Sequence, residues 1–149
     1  MQPDIPPPFA TPLGLGRELK HLGITHRLTR PQTGGAYYLF EFGFDPESGN
    51  RLHVHRHEDE VVYVLQGAIE IRLDGQTLRA GAGGVAHLPK TIPHALYNPL
   101  PAPSQYLGLA IPGGLEDFFD ALEAALARGP LDDETHRRIS GEYGIEWLE

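Results

Sequence analysis

Apolar and polar positions alternate along much of this chain at the period of a β-strand. From Leu52 to His57 the alternation is strict, with His53, His55 and His57 on one face and Leu52, Val54 and Arg56 on the other. Ala68 to Leu73 alternates again, Ile69, Ile71 and Leu73 inward against Glu70 and Arg72 outward. Asp74-Gly75 follows at once, a hairpin signal that returns the chain through Gln76 to Arg79. Upstream, Ala36 to Phe44 is dense in aromatic strand formers and runs into turn chemistry from Asp45 to Asn50. Val61 to Leu65 is apolar on both faces. Val85 to Leu88, Ala95 to Tyr97 and Tyr106 to Ile111 complete a series of short strands. Strands at this spacing, with turn residues between them, predict a sandwich or a barrel.

After Pro112-Gly113-Gly114 the period changes to 3.6. Leu115, Phe118, Phe119, Leu122, Ala125 and Leu126 mark a helix, with Phe118 and Phe119 as its core face, and Gly129-Pro130 stops it. A shorter helix is expected from Asp132 to Ser140. At the other end, Met1 to Pro12 carries five prolines and reads as an extended arm, loose or laid against a neighbour. A weak amphipathic piece follows at Leu13 to Leu22. The expected organisation is one all-β domain with one or two C-terminal helices. Residues 1–35 form an arm with a candidate edge strand, 36–112 the barrel core, and 113–149 a helical extension of the same domain.

Composition narrows the function classes. At 149 residues the chain is one domain long and can bury its own core. With no cysteine, disulfides, zinc ribbons and thiol nucleophiles are excluded. A net charge of −8 gives no electrostatic reason to seek nucleic-acid phosphates. No apolar run is long enough to span a membrane, and the proline-rich start lacks the pattern of a signal peptide. The expected location is the cytoplasm.

The chemistry concentrates between Gly49 and Gly67. Two histidines one residue apart on a strand point the same way, so both imidazoles can reach one ion. Glu60 sits five residues after the second, and His94 lies in a later strand-like segment. Three imidazoles and a carboxylate suit Fe, Mn, Co, Ni, Cu or Zn rather than Ca or Mg. A competing register would use His55, His57 and Glu60 and leave His53 aside.

The stretch resembles the first cupin motif at Gly49, His53, His55, Glu60 and Gly67, with three residues rather than five between Gly49 and His53. Gly83, Pro89, His94 and Asn98 resemble the second motif, with Thr91 where the family usually has glycine. Ile111 to Phe119 and Glu142 to Leu148 are similar to the barrel-to-helix junction and C-terminal tail of quercetin 2,3-dioxygenase-like cupins. The resemblance implies a jelly-roll barrel holding one divalent transition metal ion through His53, His55, Glu60 and His94. It also implies a homodimer.

If the family's dioxygenase chemistry applies, the substrate is a flavonol-like or other enolic or aromatic small molecule, dioxygen is the second partner, and Glu60 is the catalytic base. Other readings remain open at this point: a non-catalytic cupin that binds or senses a small molecule, or a cupin isomerase. Tyr38, Phe40, Tyr63, His87, Leu96 and Tyr97 are candidates for the substrate pocket by location. Glu58 and Asp59 are expected to be solvated, and His21, His26 and His136 to lie on the surface. His57 would sit at a variable motif position, and Asn98 would bond backbone at a strand end.

Overall fold

The computed structural model describes residues 5–12 and 16–149. Strand β1 (Arg17–Leu19) and β2 (Ile24–Leu28) form a hairpin, followed by one helical turn, α1 (Arg30–Thr33). The barrel strands are β3 (Tyr38–Phe44), β4 (His53–His55), β5 (Asp59–Gln66), β6 (Ala68–Leu73), β7 (Gln76–Gly81), β8 (Val85–Leu88), β9 (Ala95–Tyr97) and β10 (Ser104–Ile111). Then come α2 (Leu115–Leu126), α3 (Asp133–Glu142) and a last strand, β11 (Ile145–Trp147).

Three antiparallel sheets result. The largest has the order β1-β2-β3-β10-β5-β8, the second β7-β6-β9, and the third pairs β11 with β4. The two larger sheets share a buried cluster of Val62, Val64, Ile69, Ile71, Ala86, Leu88, Leu96 and Tyr106. This all-β arrangement of antiparallel sheets is the barrel that the alternation predicts and has the jelly-roll form that the resemblance implies, with the two C-terminal helices expected from the 3.6-residue period. A second cluster joins the sheet to the helices: Tyr38, Phe40 and Ala110 pack with Leu115, Phe118 and Leu122 of α2 and Ile139 of α3. The 3.6-residue apolar stripe of α2 therefore covers one end of the barrel. Asp132 caps α3, its carboxylate accepting from the Thr135 N–H at 2.7 Å.

Close approaches explain two motif glycines. A Cβ on Gly49 would collide with the Leu96 carbonyl, where the chain bridges to Tyr97. Gly67 has φ 87° and lies against the Ser104 side chain, so it needs both the left-handed conformation and the missing side chain.

Two N- and C-terminal expectations change. Of the amphipathic piece expected at Leu13 to Leu22, residues 13–15 lie outside those described, and the rest is β1 and a turn closed by Gly23 N–H to the Leu19 carbonyl at 2.9 Å. Strand β11 was not anticipated, because three residues show no period. The C-terminal residues thus belong to the sheet system that carries the histidines.

Candidate metal centre and its pocket

Only three residues long, β4 is fixed on both sides. Its His53 exchanges both backbone hydrogen bonds with His94, at 3.0 and 2.9 Å, and the His55 carbonyl accepts from Thr91 N–H at 2.7 Å. On its other edge β11 pairs Ile145 with His55 and Trp147 with His53. The pleat sends both imidazoles to one face, and the His53–His94 bridge brings the third alongside. The candidate donor nitrogens of His53, His55 and His94 all lie within 4.8 Å of one another, and all three residues are buried.

Glu60, the second residue of β5, completes the cluster. One carboxylate oxygen is 3.3 Å from His55 Nε2 and 3.4 Å from His94 Nε2. The other ring nitrogens are partly engaged. His53 Nδ1 lies 2.7 Å from the Arg51 carbonyl, and His55 Nδ1 lies 2.7 Å from a carboxylate oxygen of Glu58. Those partners can only accept, so each ring donates from Nδ1 and presents a lone pair at Nε2. Both nitrogens of His94 are buried without a hydrogen-bond partner among the described residues. Orphaned polar atoms are rare in a folded interior, and an ion among these imidazoles would satisfy Nε2. The donor set fits a divalent transition metal on chemical grounds too.

Burial, with the adjacent His55 and His94, lowers the His53 imidazole to about 4, so it is neutral near pH 7. For His55 burial acts downward, but Glu60 and the hydrogen bond from Glu58 outweigh it and raise the ring above its ordinary value. Burial would raise the Glu60 carboxyl. Attraction to His55 and to the nearby His94 and His53 rings outweighs it and holds Glu60 down at about 2.

Beside the centre lies a cavity of about 130 Å³ that His53, His55 and Glu60 border. Its apolar wall includes Phe40, Phe42, Leu96, Phe118, Phe119 and Trp147. The Trp147 ring lies 4.8 Å from that of His53, and its Nε1 donates to Ser140 Oγ at 2.7 Å.

Of the expected pocket residues, the structure brings Phe40 and Leu96 to this cavity. Tyr38 is fully buried, stacked on Phe40 at 4.7 Å, with its hydroxyl 2.5 Å from His26 Nδ1. Tyr63 is 43% exposed because strand parity puts Val62 and Val64 inward. Tyr97 lies under the Arg72 guanidinium at 3.8 Å. His87 is exposed and borders a separate cavity of about 350 Å³ with Leu78, Val85 and Ile92, which His94 also borders.

Other expectations also change. Glu58 is buried against His55 rather than solvated, whereas Asp59 is half-buried and accepts from Lys90 N–H at 2.8 Å. His26 is buried, bridging Tyr38 and Asp120, because β2 faces α2. His136 is half-buried beside Trp147. Phe118 and Phe119 are helix core and cavity wall at once. His57 is exposed and outside the cluster, so the competing register is not assembled. Asn98 does bond backbone: its amide donates to the carbonyls of Phe44, Asp45 and Ala102.

A sequence profile of the cupin domain family matches residues 40–110. The matched stretch contains His53, His55, Glu60 and His94, whereas Trp147 and the helices lie beyond it. The quercetin 2,3-dioxygenase of Bacillus subtilis (strain 168) is 26% identical over 122 residues, which is 80% of this chain and 36% of that protein. The chain therefore spans about a third of the length of that relative.

Among solved structures, the polyketide cyclase RemF from Streptomyces resistomycificus is 26% identical with a TM-score of 0.51, covering 60% of this chain and 65% of that one. KdgF from Halomonas sp. has a TM-score of 0.54 at 24% identity, over 64% of this chain and 84% of that one, and speaks for the fold alone. No described helix is long and apolar enough to cross a membrane.

Proposed function

We propose that His53, His55, His94 and Glu60 hold one divalent transition metal ion, and that the chain is a metal-dependent dioxygenase acting on a small enolic or aromatic molecule. The observation that carries this reading is the convergence of three buried imidazoles and a carboxylate at the side of an aromatic-lined cavity. Such a cavity suits a flat, largely apolar ligand with one group to present to the centre. Its size sharpens the choice. A dry cavity of roughly 150 Å³ holds benzene, so about 130 Å³ fits one ring or a short enol better than a three-ring flavonol. The similarity to a quercetin dioxygenase supports the reaction class.

When bound, the ion supplies a Lewis acid that lowers the pKa of an enol or phenol hydroxyl. The chain's own residues do the rest. Glu60, ionised across the neutral range, would accept a hydrogen bond from that hydroxyl and, on loosening from the ion, take its proton as general base. Phe40, Phe42 and Phe119 hold the ring and keep water away from the reacting face. The similarity to RemF supports a second reading, ring closure or isomerisation of an enolisable substrate without dioxygen. We also propose a homodimer, because Tyr63 and Val85, paired on neighbouring strands, both stand exposed.

Elemental analysis of protein purified without added metal, beside His94→Ala, tests the centre. Near-stoichiometric transition metal in the first and its loss in the second is the expected result. Oxygen-electrode assays with monocyclic enols and catechols then test the reaction. Turnover without oxygen uptake would favour the second reading, and an inability to take up any metal on reconstitution would end both.

A further inference from the structure

The three imidazoles differ in what stands behind them. His53 Nδ1 donates to a neutral carbonyl, His94 Nδ1 has no partner, and His55 Nδ1 donates to the carboxylate of Glu58 at 2.7 Å. Glu58 and His55 are each 6% exposed. A carboxylate buried beside an imidazole at this distance forms a charge-assisted hydrogen bond, stronger than one to a carbonyl. Glu58 reaches its place because residues 56–58 turn the chain between β4 and β5, which brings the third residue after His55 back onto its ring.

We infer that Glu58 is a positioning residue of the metal centre: it locks His55 as the Nδ1–H tautomer, aims Nε2 at the ion, and makes His55 the most electron-donating of the three imidazoles. This inference rests on the metal-centre reading above. A hydrogen-bonded carboxylate behind a histidine ligand orients the ring and raises its basicity. Charge balance points the same way. Two carboxylates, Glu58 and Glu60, with three neutral imidazoles carry two negative charges, which a divalent ion neutralises. Removing one of those charges leaves the loaded centre with an uncompensated positive charge in a buried site, which lowers affinity and disfavours the oxidised ion.

The test is Glu58→Gln, in which an amide oxygen still accepts the Nδ1 hydrogen bond but the charge is gone. Zinc affinity measured by chelator competition is expected to fall about 10- to 100-fold. The midpoint potential of the iron-loaded protein is expected to rise, while far-UV circular dichroism stays that of the wild type. Equal zinc affinity and equal potential in the folded variant would overturn the inference. A wild type that binds no metal would instead defeat the metal-centre reading. Should the variant fail to fold, ¹⁵N NMR of zinc-loaded wild type decides: a His55 Nδ1–H proton far downfield is expected, and an Nε2–H tautomer would refute the role.

Discussion

Thr91 stands where the second cupin motif usually carries glycine, and it adopts φ 68°, a conformation that a β-branched residue rarely takes. It stays there because its N–H holds the His55 carbonyl at 2.7 Å and so docks the loop before His94 onto β4. The left-handed conformation costs a non-glycine residue about 1–2 kcal/mol, and glycine's extra freedom when unfolded returns roughly 0.4–1 kcal/mol of that. Thr91→Gly is therefore expected to stabilise the metal-free protein by up to about 1.6 kcal/mol in urea unfolding; a lower midpoint would contradict the strain.

His53 makes a second residue-scale prediction. Its folded value of about 4 lies below the ordinary 6.5, so between those values the unfolded chain takes a proton that the folded chain declines. Metal-free stability should then decrease as pH falls from 6.5 to 4, by at most about 1.4 kcal/mol per unit. His55, shifted the opposite way, gains its stabilisation as pH falls towards 6.5 and holds it constant below, so it leaves the slope between 6.5 and 4 to His53. Urea midpoints across this range should flatten in His53→Asn.

At the scale of elements, β11 turns a sheet edge into part of the site. It pairs with β4 along its whole length, and Trp147 leaves it to pack on His53 and wall the cavity. The Ser140 hydroxyl and the Arg137 side chain, which donates to the Trp147 carbonyl at 2.8 Å, tie the strand to α3. Trp147 is the chain's single tryptophan, which makes its emission a direct reporter of the centre. Adding Cu(II) is expected to quench that emission in step with binding, and not in His53→Ala. Trp147→Ala should destabilise the fold by about 2 kcal/mol in thermal unfolding, below the 3–5 kcal/mol of a fully buried aromatic because Trp147 is only partly buried. The helical periodicity placed α2 correctly, but β11 escaped notice because a three-residue strand is defined by its partner and not by its own pattern.

For the whole molecule, the outer surface of β5 and β8 matters most. Tyr63 and Val85 are register partners there, 43% and 63% exposed, and β8 is the outermost strand of its sheet. Light scattering is expected to give a dimer that Tyr63→Glu converts to monomer without loss of secondary structure; a monomeric wild type would leave that face without this partner. The barrel strands between Ala36 and Ile111, their order and the spacing of His53, His55, Glu60 and His94 were legible in the sequence, because period-2 alternation, Asp-Gly turns and His-x-His are local facts of pleat and turn geometry. His53 and His55 share a face for that reason alone. Three-dimensional packing decided what local rules do not reach. It turned Glu58 from an expected surface acid into the partner of His55, sent Tyr63 and Tyr97 outward and Trp147 inward, and buried His26 between β2 and α2. Each of these depends on which element comes to lie against which, and that is set by the closing of the sheets over a common core rather than by any run of neighbouring residues.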